Sequence, residues 1–129
     1  MSEKIKLLSV AKKKPRKESS SGWEETVNYY APDMYELLRS VGEKDTLEKV
    51  KELKPEIVLI LSDMSDNVQL AEKIKQAHPE VSIFVVLGMV TDEQELIDAF
   101  MAEGVYKCYP QPVSMDALFH DMFVALNLE

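Results

Sequence analysis

Apolar residues in this chain fall into short unbroken runs, and the segments between the runs carry apolar positions at helical spacing. The run Ile57, Val58, Leu59, Ile60 and Leu61 is too short for a membrane span and too uniform for a strand with one wet face. It predicts a central strand buried on both sides. Pro55 fixes its start, because proline disfavours helix at Lys54 and cannot donate to a ladder. Upstream, Asp45-Thr46-Leu47-Glu48 carries a capping pattern that opens a helix through Val50 and Leu53 into this strand. Residues 81–87 predict a second buried strand, and Leu70, Ala71, Ile74 and Ala77 place a helix over residues 68–77 between the two. Strand, helix, strand at this spacing demands parallel strands and an α/β sheet.

Residues 4–10 alternate and then become apolar, as a first strand entering a core should. Residues 11–22 are basic and then serine-rich, and predict a mobile loop. Trp23, Val27 and Tyr30 predict a short helix over residues 21–30, capped by a serine and ended by Pro32. In residues 33–41 the positions of Met34, Leu37, Leu38 and Val41 fit a helical face. A helix there would put three in succession before the central strand, whereas a strand completes a regular alternation, so a strand is predicted. Thr91 to Gln94 form a capping box opening a helix through Leu96, Ile97 and Phe100, with Gly104 as its stop. Residues 105–109 make a fifth strand, Pro110-Gln111-Pro112 a rigid turn, and Ser114 caps a last helix over residues 115–126.

The 129 residues predict one domain, large enough to bury a core without staples. Leu128-Glu129 resembles a cloning remnant, which would make the chain an excised piece of a longer protein. No apolar run approaches the roughly 20 residues of a membrane helix, and a cytoplasmic protein is expected. The single Cys108 predicts a small core residue, and His78 and His120 form no recognisable metal set, so neither a metal nor another cofactor is expected. Net charge is −8, yet residues 1–17 hold seven of the fifteen Lys/Arg and one acid, Glu3. The acidic remainder should repel nucleic acid, while the run from Lys12 to Lys17 reads as a solvated loop or an anion-facing patch over the carboxyl ends of the strands.

The alternation as a whole resembles the receiver domain of two-component response regulators. Residues 44–60 read like that family's second helix and third strand. Ala102-Glu103-Gly104, a strand and Pro-x-Pro are similar to its fourth-helix end, fifth strand and Lys-Pro turn. The resemblance implies a flavodoxin-like, doubly wound sheet of five parallel strands in the order 2-1-3-4-5 with helices on both faces.

It also implies a chemistry whose groups are missing here. In the family, a carboxylate ending the third strand takes phosphate from phosphohistidine. Two acids after the first strand help hold Mg²⁺, and a hydroxyl and a lysine hold the phosphoryl group. The corresponding positions are Leu61 for the phosphoacceptor, Ala11 and Lys12 for the acids, Gly88 for the hydroxyl and Gln111 for the lysine. Only Pro112 is kept. The aromatic that reports phosphorylation falls at Cys108, flanked by Tyr106 and Tyr109, and Asn67 stands where a glycine is usual. Asp63, two residues beyond the expected acceptor, is the one acid that would rescue the chemistry. It lacks partner acids and reads as a loop aspartate.

The resemblance therefore implies a phosphorylation-independent pseudo-receiver of bacterial two-component type. It would be non-enzymatic and would work through a protein partner or a fused effector, as in the N-terminal modules of MinD-type ATPases of pilus assembly and polar localisation. The alternatives are a flavodoxin-like small-molecule binder, against which stand Lys12-Lys13-Lys14-Pro15 and only four glycines, and an atypical receiver using Asp63. The last helix is too widely apolar for a single buried stripe. Met115, Leu118, Phe119, Met122 and Leu126 account for the core, so Phe123 and Val124 are expected to make a second contact. Family receivers dimerise across the fourth helix, fifth strand and fifth helix through ion pairs. This chain offers Glu95, Asp98, Tyr106, Lys107 and His120 there but no Lys or Arg after Lys107. A homodimer or partner contact on this face is expected to be apolar and little affected by salt.

Overall fold

The computed structural model describes residues 4–11, 27, 29–61, 67–87, 93–110 and 114–126. Its elements are β1 (Ile5–Ala11), β2 (Tyr35–Val41), α1 (Gly42–Leu53), β3 (Ile57–Ile60), α2 (Val68–Ala77), β4 (Ser82–Val86), α3 (Glu93–Ala102), β5 (Lys107–Tyr109) and α4 (Met115–Ala125). All five strands pair in parallel in the order β2-β1-β3-β4-β5. Because side chains alternate along a strand, Leu8, Val10, Val58, Ile60, Ile83 and Val85 point to one layer and Leu7, Ile57, Leu59 and Phe84 to the other. The first layer is covered by α1, α2 and α3 through Val50, Leu70, Ile74 and Phe100. The second is covered by α4 through Leu118, Phe119 and Met122, together with Val27 and Ala31. β3 is therefore buried on both faces, as its unbroken run predicts.

Residues 35–41 are a strand, as the alternation predicts, although their apolar spacing also fits a helix. Ile5 and Lys6 pair with Tyr35 and Glu36, and this sheet context outweighs local periodicity. The capping pattern at Asp45 is corrected. α1 begins a turn earlier, at Gly42, whose φ of +81° suits a residue without Cβ. Asp45 lies inside the helix and its carboxylate accepts the Val41 N–H at 2.9 Å. Asn67 caps α2 by accepting the Leu70 N–H at 3.0 Å, and Ser114 caps α4 by accepting from Ala117 at 3.3 Å. α3 closes as Gly104 predicts: the Gly104 N–H donates to Met101 O and the Val105 N–H to Phe100 O, with Gly104 at φ +88°. Val27, Tyr29 and Tyr30 are helical, but the expected serine cap, the box at Thr91, the Pro110-Gln111-Pro112 turn beyond Pro110 and the basic loop fall outside the described residues.

Two buried hydroxyls, on Ser9 and Tyr35, run against good packing. The Tyr35 ring sits in the second layer, 6.5 Å from the Phe119 ring, and its hydroxyl has no hydrogen-bond partner among the described residues. Burial pushes its pKa up to about 12. An unmet buried hydroxyl costs more than the area it contributes, so Tyr35→Phe should leave stability unchanged or raise it by about 1 kcal/mol. A urea midpoint that falls instead would reveal an acceptor for this hydroxyl.

Candidate functional site

Ligands of open α/β sheets sit at the carboxyl ends of the strands, which makes that edge the first candidate. Ala11 ends β1 in register with Val41 of β2, and Leu61 follows β3 with its N–H donating to Val10 O at 2.9 Å. Both side chains are half-buried, and Leu61 packs against the second layer. At the neighbouring strand end, the Leu87 N–H donates to Tyr109 O at 2.9 Å. The two expected site positions that are described thus lie on adjacent strands and are both aliphatic. Lys12, Asp63, Gly88, Gln111 and Pro112 fall outside the described residues. Among the described residues no group of three or more His, Cys, Asp or Glu is placed to hold a metal ion.

The second candidate is the face built by α3, β5 and α4. Glu95 and Asp98 are exposed on α3, Asp98 accepting from Gln94 Nε2 at 2.9 Å. Tyr106 is exposed but leans on the core, its ring 5.1 Å from that of Phe84. Lys107 and Tyr109, two apart on β5, share a side of the strand and converge on Asp121 of α4. The ammonium lies 3.0 Å from Asp121 Oδ2 and the Tyr109 hydroxyl donates to the same oxygen at 2.7 Å. The ammonium also stands 5.4 Å from the centre of the Tyr109 ring. Partial burial alone would raise the Asp121 carboxyl, but the hydrogen bonds from Tyr109 and Lys107, helped by the lysine charge, hold it below the usual carboxylate range. Burial first, and then the bond to Asp121, push the Tyr109 hydroxyl far up.

His120 and Val124 are exposed on α4. Phe123 is half-buried and packs against the second core layer, so of the two expected contact residues Val124 is the one turned outward. Cys108 is buried, and burial pushes its thiol up to about 11, consistent with a small core residue. His78 Nε2 lies 3.0 Å from Pro55 O, tying the end of α2 to the connection into β3. Sequence alone does not specify the Lys107-Asp121-Tyr109 cluster. Polar residues at alternate positions of β5 were the available signal, but nothing in the chain specified their acceptor.

No family model matches the chain, and no curated protein matches it. Solved structures do. A receiver domain of a DNA-binding response regulator from Colwellia psychrerythraea 34H superposes with a TM-score of 0.76 at 16% identity, over 95% of this chain and 98% of that one. The fold is a receiver fold. A receiver domain of an HD domain-containing protein from Pseudomonas fluorescens Pf-5 gives a TM-score of 0.77 at 17% identity, covering 97% and 96%. A pilus assembly-related protein from Burkholderia pseudomallei gives 0.72 at 18% identity, covering 96% and 90%. The receiver fold thus carries, at the ends of β1 and β3, two aliphatic side chains.

Proposed function

We propose that this receiver-like domain is a phosphorylation-independent signalling module that acts by binding protein and not by catalysis. The observation that carries this reading is the pair Ala11 and Leu61. They stand at the ends of adjacent strands, where a receiver that takes phosphate needs carboxylates. An aliphatic side chain offers no nucleophile and no oxygen ligand for Mg²⁺, so at these two positions phosphoryl transfer would find neither an attacking atom nor a metal ligand. What the fold still offers is a rigid surface, and the α3–β5–α4 face presents exposed apolar and acidic side chains on it. The pilus-related and response-regulator neighbours accord with a regulatory part inside a larger assembly, in which a fused or separate effector reads that surface.

Treatment with acetyl phosphate and Mg²⁺ should leave the intact mass unchanged, since these groups cannot support an aspartyl phosphate. A gain of one phosphate that disappears in Asp63→Asn would overturn the reading in favour of an atypical acceptor.

A further inference from the structure

β2 lies at one end of the sheet, and no described strand lies beyond it. Along a strand, successive residues turn their N–H and C=O to opposite edges. The Ile5 N–H donates to Met34 O in the register that sets Ile5 against Tyr35, so Glu36, Leu38 and Ser40 are the residues whose backbone groups serve β1. Tyr35, Leu37, Arg39 and Val41 turn theirs to the outer edge. An edge of this length is a template for a further strand. Its carboxyl half is not left open. Lys49 Nζ of α1 donates to Arg39 O, and the Val41 N–H donates to Asp45 Oδ2 at 2.9 Å. The two α1 side chains are themselves paired at 3.2 Å, four residues apart. Helix capping accounts for the bond to Val41, but not for a lysine well inside the helix reaching a strand carbonyl.

Without those two side chains the strand suits a second copy of itself. With two β2 strands antiparallel about a twofold axis at Leu38, Leu37 faces Arg39 of the second copy, Glu36 faces Ser40 and Tyr35 faces Val41. No like charges stand directly opposite, and the outward backbone groups fall in hydrogen-bonded pairs. Half of the bonds in that ladder run to Arg39 O or from the Val41 N–H, the two groups that α1 already engages. We propose that Lys49 and Asp45 guard this edge: by holding Arg39 O and the Val41 N–H they keep a second copy of the chain from extending the sheet through β2. The guard acts at the outer edge of β2, away from the α3–β5–α4 face, and it stands whether or not the domain takes phosphate.

Backbone amide exchange of the whole chain, followed by NMR at several protein concentrations, tests this. In the parent, exchange of the Leu37 N–H should not depend on concentration. In Lys49→Met/Asp45→Ala it should slow at least about tenfold between dilute and concentrated samples, while a dimer grows in the ultracentrifuge. Lys49→Met alone keeps a good helix former and the Asp45 bond to Val41, and should show the same trend more weakly, so that damage to α1 in the double variant does not decide the result. Lys49→Arg keeps a donor for Arg39 O and should behave as the parent. Lys51→Met, at an exposed position of α1, makes the same change in charge as Lys49→Met and should also behave as the parent. The proposal is overturned if concentration slows Leu37 in neither Lys49→Met variant, or if Lys51→Met slows it as much. It is overturned equally if Leu37 in the parent is already slow at every dilution, because the chain's own residues would then cover the edge. A variant dimer whose growth leaves Leu37 exchange untouched would overturn it too, since the contact would lie elsewhere.

Discussion

Phe84→Ala should destabilise the domain by about 3–5 kcal/mol, the range for removing a fully buried aromatic ring without collapse of the space it leaves. Phe84 lies in the interior of β4, in register with Leu59 of β3 on one side and Lys107 of β5 on the other. It has no exposed surface and belongs to the layer that holds Leu118 and Met122 of α4. Its ring lies 5.1 Å from that of Tyr106 and 6.4 Å from that of Tyr109, so truncation also removes two aromatic contacts at the β5 edge. Ordinary domains are stable by about 5–15 kcal/mol, so the loss is a large fraction of the whole. In urea the midpoint should fall sharply with the slope unchanged, and Phe84→Leu should cost much less. An alanine variant within about 1 kcal/mol of the parent would mean that this layer is not close-packed around β4.

Asp121→Ala should cost about 2 kcal/mol, and most of that should come from Tyr109 rather than Lys107. The lysine side chain is half-exposed, and an ion pair with an exposed member contributes at most about 1 kcal/mol. The Tyr109 hydroxyl belongs to a side chain 5% exposed and would lose its acceptor outright. In a Tyr109→Phe background the same substitution should therefore cost distinctly less, a coupling that a double-mutant cycle measures directly. Equal costs in both backgrounds would assign the effect to the lysine or to helix propensity. The Asp121 carboxyl is held below its ordinary value in the folded state, so its contribution is present above the unfolded value of about 4. It is lost as pH falls through the lower folded value, and the parent's advantage over Asp121→Ala should shrink in that window.

The parallel sheet and its helices were legible because the evidence for them is short-range. Unbroken aliphatic runs mark strands buried on both faces, and Leu70, Ala71 and Ile74 mark one side of α2 at a spacing no strand produces. Boundaries were less legible. Asp45 reads as a helix-opening residue, but its carboxylate reaches back to Val41 from inside α1, since the glycine at 42 had already turned the chain. Phe123 reads as surplus to the buried stripe of α4, yet the second layer is wide enough to take it in. The candidate sites divide in the same way. The aliphatic character of Ala11 and Leu61 is visible in the sequence, whereas the convergence of Lys107 and Tyr109 on Asp121 depends on how α4 docks against β5, and local pattern does not encode docking.

The strand order has a consequence for the birth of the molecule. β1 is made first but lies between β2 and β3, with Leu7 flanked by Leu37 and Ile57. Its first neighbour does not exist until the chain has reached Tyr35, and its second not until Ile57. Until then an apolar ribbon waits without a ladder, and every pairing it finally makes closes a long loop. Such non-local closure slows folding relative to helical proteins of the same size, and it leaves the newly made β1 an exposed apolar segment, open to wrong pairings, until its neighbours arrive.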